Sequence, residues 1–481
     1  MNSANNIIQW WQVLPNVLWT DWLVYILLFA IGVFVFHARR HEHLRAPWRQ
    51  ILRRRLAMSS CIILLTFAAI GFLDSIHFRK AIDVRSDGTL RYSNEAVSLF
   101  DQLVLPLKNN TEKTYSAPFA MQLYAKENVE AADGTVSRAY PRLKYGGAHL
   151  DNANLSLVDD IKRRVLNGVE HAVVVTLLLV FVLVVWQSRR NKQALRCTAL
   201  SMWRGEKVNL PWKTTIATIG VIILLVSLSL QLATVYHVFG TDKVGQDVFY
   251  LTLKSIRTGL VIGTLTTLIM LPFAIMLGIM AGYFRGWVDD VIQYIYTTLS
   301  SIPSVLLIVA AVLMIQILIE NNPDFFTITT LQERADIKLL ALCFILGITS
   351  WTGLCRLLRG ESLKLREADY IQAAQAFGVS NLKIITRHIL PNVMHIVLIL
   401  VVLDFSGLVL AEAVLSYVGV GVDPSMISWG NMINGARLEM AREPVVWWSL
   451  MAAFIFMLLL VLTANLFADA VRDAFDPRLR K

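Results

Sequence analysis

Long apolar segments constrain the fold of this chain more than any other feature of its sequence. Of its 481 residues 56% are hydrophobic and only 17% are charged, and the mean hydropathy of +0.54 is too high for a soluble globular protein. Segments of about 20 apolar residues can cross the hydrocarbon core of a bilayer as helices. We therefore predict an all-α polytopic membrane protein with about nine spans, which include 22–36, 57–73, 171–186, 214–236, 339–357, 391–418 and 447–468, one span that ends at Gly282 and one that contains Pro303.

The positions of the basic residues predict which side of the membrane each polar segment occupies. Lys and Arg cluster in short segments beside the apolar runs, as in Arg53, Arg54 and Arg55, and such clusters favour the cytoplasmic side. We predict that residues 1–20 and 74–168 lie outside, and that residues 38–56, 187–213, 358–390 and 471–481 lie inside. Membrane topology explains the formal net charge of +10 better than nucleic-acid binding does.

The order of polar and apolar segments predicts four regions. Residues 1–73 contain two N-terminal helices, and residues 74–168, inserted between the second and third spans, form a polar insert of the size of a small domain, with turns and some strand. Residues 169–213 contain a third helix and a cytoplasmic linker. Residues 214–481 contain six further transmembrane helices.

A polar stretch between two apolar runs, residues 367–392, has the pattern of two short helices. Tyr370, Ala373, Ala374 and Phe377 follow spacings of three and four, which place them on one face of a helix. Gly378 predicts the end of that helix. Ser380 then starts a second short helix, and Pro391 predicts the start of the next span. We interpret the pair as an element that docks into a groove of another protein; the alternative is an amphipathic hairpin at the membrane surface without a partner.

The same stretch resembles the coupling loop of permeases of ABC importers, and most closely the peptide-permease branch. Gln372 stands where that family has a Glu, so no salt bridge is expected from it. The resemblance implies a coupling loop over residues 358–391. The residues it implies for contact with an ATPase are Tyr370, Ala373, Ala374, Phe377, Gly378, His388, Leu390 and Pro391.

A second segment resembles a periplasmic signature of the DppC/OppC-type subunit of these importers. Its matching residues are Gly240, Thr241, Asp242, Gly245 and Asp247, whereas Gln246 stands at a position that is usually Arg. Trp429 lies in a further segment that resembles the outward-facing part of the family. Taken alone, the first segment would be an ordinary Asp/Gly turn. Together these segments imply a type I (MetI-like) permease core of six helices over about residues 214–481, to which residues 1–213 add three N-terminal helices and the insert.

The resemblance implies a function and a set of partners. The chain would be the permease subunit of an ATP-driven importer that carries di- or oligopeptides across a bacterial inner membrane, with its N-terminus outside and its C-terminus in the cytoplasm. The implied partners are a second related permease in a heterodimer, two cytoplasmic ATPases, a periplasmic or lipid-anchored binding protein, the peptide and membrane lipid, with no nucleic acid. ATP and Mg²⁺ would be bound by the ATPases, because this sequence has no phosphate-binding loop, and it shows no catalytic or metal motif. Nickel, an opine or a modified peptide remains an alternative cargo.

Three residues within apolar runs are candidates for the translocation pathway. Pro303 interrupts a predicted span, and free backbone carbonyls at that depth require protein or water beside them. Asp404 and Glu412 are carboxylates that cannot face lipid. Asp404 either meets a neighbouring helix or lines the path and binds the amino end of a peptide. A rival function, a secondary transporter or membrane sensor, would use Asp404 and Glu412 as proton or ion sites.

Overall fold

The computed structural model describes residues 13–40, 42–84, 90–130, 136–150, 156–204, 210–322 and 330–475. Most of these residues are helical. In chain order the α-helices are α1 (Trp19–Arg40), α2 (Glu42–Arg53), α3 (Arg55–Asp74), α4 (Leu99–Leu103), α5 (Leu105–Asn109), α6 (Leu157–Asn191), α7 (Leu195–Arg204), α8 (Trp212–Leu232), α9 (Val248–Phe284), α10 (Trp287–Ser301), α11 (Ser304–Asn321), α12 (Leu331–Arg366), α13 (Asp369–Ala376), α14 (Asn381–Ile384), α15 (Leu390–Val418), α16 (Trp429–Glu439) and α17 (Trp448–Phe475).

Nine helical segments in the described part of the chain are long and apolar enough to cross a membrane. They are α1, α3, α6, α8, α9, α11, α12, the continuous helix from α14 to the end of α15, and α17. This result confirms the predicted all-α polytopic fold.

The described residues contain five strands, of which four lie in the insert and one precedes the first span. These strands are β1 (Val13–Pro15), β2 (His77–Val84), β3 (Leu90–Ser98), β4 (Glu127–Glu130) and β5 (Val136–Ala139). The first three form an antiparallel sheet in the order β1-β2-β3, and β4 and β5 form an antiparallel pair. The sheet therefore includes residues from before the first span. Two glycines of the insert at which the sequence predicts turns, Gly88 and Gly134, lie outside the described residues.

One predicted boundary of the insert lies within a helix. We placed the end of the insert at residue 168, but α6 begins at Leu157 and continues to Asn191 without a break. The Ser156 side chain accepts a hydrogen bond from the Asp159 backbone N–H, and such a cap favours a helix start at this point. At 1.5 Å per residue α6 is about 50 Å long, which exceeds a hydrocarbon core of about 30 Å.

Helices α9 and α12 form the most extensive helix contact of the core, and glycines allow their close approach. A Cβ atom at Gly278 would lie 2.8 Å from the carbonyl oxygen of Cys355, and one at Gly282 would lie 2.6 Å from that of Arg359. The earlier glycines of α9 face other elements, since Gly259 contacts Trp429 and Gly263 contacts Phe405. The two pairs with Gly-x-x-x-Gly spacing in α9, Gly259 with Gly263 and Gly278 with Gly282, therefore both lie at close contacts.

The added N-terminal helices pack among the core helices. Helix α3 contacts both α9 and α17, and Gly71 of α3 lies against Leu260 of α9. Helix α8, the first predicted core span, packs mainly against α6 and α3, and the Thr218 hydroxyl donates to the Ser59 Oγ at 3.0 Å. The boundary at residue 213 in the sequence is therefore not a boundary in space.

A buried ion cluster connects the first added helix to two core helices. The Arg257 guanidinium of α9 lies 2.6 Å from the Asp21 carboxylate of α1 and 3.9 Å from the Asp336 carboxylate of α12. His77 of β2 lies 2.8 Å from the other Asp21 oxygen, and Thr20 donates to Asp336 through its backbone N–H. A charge buried at this depth requires such partners.

We predict that Arg257→Gln destabilises the protein because it leaves Asp21 and Asp336 buried without their common cation. Removal of one partner of a buried ion pair costs about 3–5 kcal/mol. The control is Arg334→Gln, because Arg334 pairs with Glu320 at the surface, where the two side chains are 43% and 55% exposed. In detergent, Arg257→Gln should clearly lower the Tm, whereas Arg334→Gln should change it little. Equal decreases in Tm would contradict the prediction.

Candidate functional site

The stretch that resembles a coupling loop folds as two short helices around a glycine turn, as predicted. Helix α13 ends at Ala376, and Gly378 has a φ of +73°, a backbone conformation that favours glycine. Helix α14 follows at Asn381. Helix α15 begins at Leu390 with Pro391 in its first turn, which confirms the predicted start of this span, and α14 and a short turn join it so that helical structure is continuous from Asn381 to Val418.

A π-helical turn explains how Pro391 is accommodated inside this continuous helix. The turn covers Ile385–Ile389 and directly precedes the proline. Proline cannot donate a backbone hydrogen bond, and a π turn shifts the hydrogen-bond register of the helix at this point. The Asn392 side chain donates to the carbonyl of His388 at 2.7 Å and so satisfies one carbonyl of this turn.

The predicted stripe on α13 divides into an exposed part and an inward part. Phe377 is 87% exposed, Tyr370 is 46% exposed and Ala373 is exposed, whereas Ala374 packs inward. Leu382 on α14 adds a further apolar side chain that is 73% exposed. We name the side chains of Tyr370, Ala373, Phe377 and Leu382 the docking surface.

Buried side chains and hydrogen bonds hold the docking surface in place. Ile371, Ile384 and Ile389 are fully buried in one cluster with α9 and α12 residues. The Tyr283 hydroxyl at the end of α9 donates to Asn381 Oδ1 at 2.9 Å. The Asn392 side chain donates to the Tyr370 hydroxyl at 3.1 Å. The helix pair is therefore fixed to the core although its outer side is open.

The other predicted coupling residues lie behind the docking surface. The ring of His388 lies 6.1 Å from the ring of Tyr370, measured between centroids. Leu390 is half-buried and Pro391 is exposed. The structure thus brings all eight residues to one region, but Ile371, which anchors α13 and which the sequence did not single out, lies on the opposite side of that helix.

The predicted periplasmic motif forms a tight loop under the insert. Gly240 and Gly245 have φ values of +67° and +77°. A Cβ atom at Gly245 would lie 1.9 Å from the Glu112 carbonyl oxygen, so only glycine fits there. Asp242 accepts hydrogen bonds from the backbone N–H groups of Val244 and Gln246. The side chain of Thr241 donates to the insert, at the carbonyl of Thr114.

A buried histidine joins this motif to the insert. His237 Nδ1 lies 2.7 Å from Asp247, the residue that caps α9, and its Nε2 lies 3.4 Å from Glu112. Glu112 also accepts three backbone hydrogen bonds, from Lys144, Tyr145 and Gly146. Sequence analysis identified Asp247 but missed His237 and Glu112. The only hint in the sequence was that His237 lies three residues before Gly240, the first residue of the predicted motif.

The charges of His237, Asp247 and Glu112, here called the trio, stabilise one another. Burial alone would lower the pKa of His237, but its hydrogen bonds to Asp247 and Glu112 outweigh burial and raise that pKa to about 9. Burial alone would raise the pKa of Glu112, but hydrogen bonds from His237 and the three backbone N–H groups lower it to about 2. At neutral pH the trio is therefore an imidazolium between two carboxylates.

Trp429, the further residue of the predicted periplasmic motif, lies at a helix contact. Its indole N–H donates to the carbonyl of Thr252 at 3.1 Å, and its ring covers Gly259 of α9. It is almost fully buried. Trp429 therefore packs α16 against α9.

The three predicted pathway residues do not lie together. Pro303 lies at the break between α10 and α11 and lines a cavity of about 450 Å³. Glu412 and Asp404 are not among the residues that line this cavity. Glu412 is 1% exposed, accepts a hydrogen bond from Ser416 at 2.8 Å and lies against Gly430. Glu412 is therefore packed between α15 and α16, and its predicted place on the translocation pathway stays a prediction.

Asp404 lies on α15 and is half-buried. It forms no hydrogen bond or ion pair with any residue that the structure describes. Two residues along the helix, Ser406 donates to Asn465 of α17 at 2.6 Å. The two predicted roles of Asp404, helix packing and binding of a peptide amino end, both stay predictions.

We predict that the contact between the insert and the core weakens at high pH. The pKa of His237 is raised from 6.5 to about 9, so its stabilisation is fully present below pH 6.5 and is lost as the pH rises through 9. Hydrogen exchange of the Lys144, Tyr145 and Gly146 amides, corrected for intrinsic rates, should therefore accelerate above pH 9. The control is His237→Gln, which should lack this step; a step that persists in the variant would assign it to another group.

Comparison with known proteins identifies the family. Residues 274–481 match the model of the binding-protein-dependent transport system inner membrane component. The chain is 32% identical over 244 residues to the oligopeptide transport system permease protein OppC of Mycobacterium tuberculosis, an alignment that covers 51% of this chain and 77% of that protein. It is 30% identical over 304 residues to the dipeptide transport system permease protein DppC of Alkalihalophilus pseudofirmus, with 59% and 92% covered.

Two further similarities were found. The glutathione transport system permease protein GsiD of Pectobacterium atrosepticum is 31% identical over 245 residues, which cover 51% of this chain and 73% of that protein. A solved inward-facing structure of the MetNI methionine ABC transporter is 16% identical, with 46% of this chain and 96% of that chain covered and a TM-score of 0.33. The sequence relatives establish that this chain belongs to the binding-protein-dependent transport system inner membrane components, the multi-pass permease subunits of ABC transporters.

Proposed function

We propose that this chain is the permease subunit of an ATP-driven importer that carries di- or oligopeptides across a bacterial inner membrane. The observation that carries the proposal is the docking surface, which is apolar, exposed and firmly anchored to the core. The names of its relatives, OppC and DppC, support peptides as the cargo. Nickel, an opine or a modified peptide is the alternative within the same class.

The anchoring of the docking surface supports a mechanical role in transport. Helix α13 follows α12 after a short turn, and α14 is continuous with α15. A partner that moves Phe377 and Leu382 would therefore move two core helices at once. We propose that two cytoplasmic ATPases bind ATP and Mg²⁺, close, and drive the core between inward-facing and outward-facing states through this contact.

The remaining partners follow from the same model. A second, related permease would complete the path as a heterodimer, and a periplasmic or lipid-anchored binding protein would deliver the peptide. Exposed arginines at the ends of α1 and α6, such as Arg39, Arg40, Arg189 and Arg190, support a cytoplasmic location for those ends. We propose an outside N-terminus and a cytoplasmic C-terminus.

The position of the insert supports a role at the outer side. Its Glu112 and the loop from Lys144 to Gly146 surround His237 and the Gly240–Gly245 turn of the permease core. We propose that the insert covers the outer side of the core near the binding-protein site. A passive stabilising insertion is the equal alternative, and unchanged docking of the binding protein after removal of the insert would leave only that alternative.

The rival function gains no support from the two carboxylates on which it depends. A secondary transporter would need Asp404 and Glu412 on a path that ions can reach. Glu412 is packed against Gly430, and the cavity beside Pro303 is lined by neither residue. Peptide uptake that continues without any ATPase would nevertheless establish the rival function.

We predict that Gly378→Leu uncouples ATP hydrolysis from peptide uptake. No described atom lies within 4 Å of a Cβ at Gly378, so a leucine there would clash with the ATPase rather than with this chain. Its φ of +73° adds a backbone cost of about 1 kcal/mol. Uptake into proteoliposomes that contain the whole transporter should fall at least tenfold, whereas insertion of the subunit should be normal.

Gly419→Leu is the matched control for this experiment. Gly419 has a φ of +88° and equally open surroundings, so the substitution carries a similar backbone cost at the far end of α15. Normal uptake by Gly378→Leu, or equal losses in both variants, would contradict a coupling role of the Gly378 turn.

We also predict the side of the membrane on which the docking surface lies. In a chain without its native cysteines, a cysteine at Ser380 should react with an impermeant thiol reagent only after the membrane is permeabilised. A cysteine at Val244, which is 69% exposed, should react from outside in intact cells. Labelling of position 380 in intact cells would invert the proposed topology.

A further inference from the structure

We propose that the cavity at the break between α10 and α11 is the part of the peptide path that this chain contributes, and that it recognises the neutral peptide main chain through hydroxyl groups. The inference rests on the proposed function. It adds a recognition mode: this segment of the path would not select peptides by the charge of their side chains.

The composition of the cavity carries this inference. Five of its nine lining residues have a hydroxyl group, the other four are apolar, and none is charged. The lining residues are Leu299, Ser300, Ser301, Ile302, Pro303, Ser304, Leu307, Thr349 and Thr352. Such a mixture is unusual for a surface that faces lipid and is typical of a site that orients a ligand by a few polar groups.

The α12 side of the cavity lies at the level of the middle of a predicted span. Thr349 and Thr352 belong to α12, and they fall close to the centre of the predicted span 339–357. Ser304 begins α11 on the other side of the cavity. At this depth polar groups must face protein or a water-filled space.

The backbone at the break between α10 and α11 requires water or another polar partner beside it. Pro303 cannot donate a hydrogen bond, and its side chain cannot cap α11, so the first N–H groups of that helix lack partners within it. Residues 300–306 are also exposed. Hydrocarbon would leave these donors unsatisfied at a cost of several kcal/mol each, whereas water or a passing peptide satisfies them.

The hydroxyl groups keep hydrogen-bonding capacity for a ligand. Ser301 and Thr349 donate to carbonyls of their own helices and retain acceptor positions. Ser304 and Thr352 form no side-chain hydrogen bond with any described residue. One charged group contacts the lining: the Arg356 guanidinium donates a hydrogen bond to the Ser300 Oγ at 3.3 Å.

This set of groups matches a peptide main chain. Each peptide unit offers one N–H donor and one carbonyl acceptor, and a hydroxyl can rotate to serve either. A charged lining would instead retain peptides of opposite charge and repel those of like charge. The cavity therefore suits cargo that shares a main chain and differs in its side chains.

Charge insertion at Thr352 tests the inference. Reconstituted wild-type transporter, Thr352→Asp and Thr352→Lys are each given tripeptides with one anionic, one cationic or no charged side chain. We expect similar uptake of all three by the wild type. Thr352→Asp should shift the ratio of anionic to cationic uptake down about tenfold, and Thr352→Lys should shift it up by a similar factor.

Poor folding lowers the uptake of all peptides alike. The ratio of anionic to cationic uptake measured within one variant is therefore not affected by it. If the Thr352 variants do not insert, the same pair of substitutions at Ser304 replaces them. Thr234, which is exposed at the outer end of α8, is the control position and should give no shift of the ratio.

The outcomes separate the two proposals. A wild type that takes up no peptide with ATP would overturn the proposed function whatever the variants do. A wild type that transports peptides, with variants that leave the ratio unchanged, would place the cavity off the path and overturn the inference alone. A wild type that strongly prefers one charge would also contradict it.

Discussion

The contact between α9 and α12 is the interaction on which the rest of the structure depends. At Gly278 and Gly282 the two backbones lie so close that a side chain at either position would clash with a carbonyl of α12. Because α12 packs along α9, its two ends and its middle can each position a different feature. Its outer end carries Asp336 of the ion cluster, its middle carries Thr349 beside the cavity, and its inner end leads into α13.

The inner end of α12 is also fixed by an ion pair. Arg359 donates to both oxygens of Asp289 at 2.5 Å and 2.7 Å, and so joins α12 to α10 next to the docking surface. The same α10 leads to the break at Pro303. A displacement of the docking surface would therefore reach the cavity through packed helices, which is a direct physical route for the proposed coupling.

The added N-terminal region does not form a separate layer. Helix α3 occupies a place between α8 and the pair α9 and α17, and Arg257 ties α1 to the core. On the outer side, His237 and Glu112 bind the insert to the loop that follows α8. The insert and the added helices are thus integrated with the permease core at three levels, which explains why the sequence order alone misplaced their boundary.

Features encoded locally could be predicted from the sequence. The spans follow from apolar length, and the two short helices follow from the spacing of Tyr370, Ala373 and Phe377 with the glycine at 378. Features that depend on distant partners could not be predicted. Glu112 and His237 are 125 positions apart, and Glu412 is packed by a glycine that only the fold brings to it. The π turn before Pro391 was not predicted because proline is common both at helix starts and at local helix distortions.

Site-specific photo-cross-linking from position 377 tests the central claim most directly. Phe377 is the most exposed side chain of the docking surface, and Leu331 at the outer end of α12 is a control of similar exposure, at 87% and 77%. With a photoreactive residue at each position in the whole transporter, the account predicts a cross-link from 377 to an ATPase subunit, with a yield that changes when ATP binds, and none from 331. The absence of any ATPase cross-link from position 377, while the transporter is assembled and active, would contradict the account.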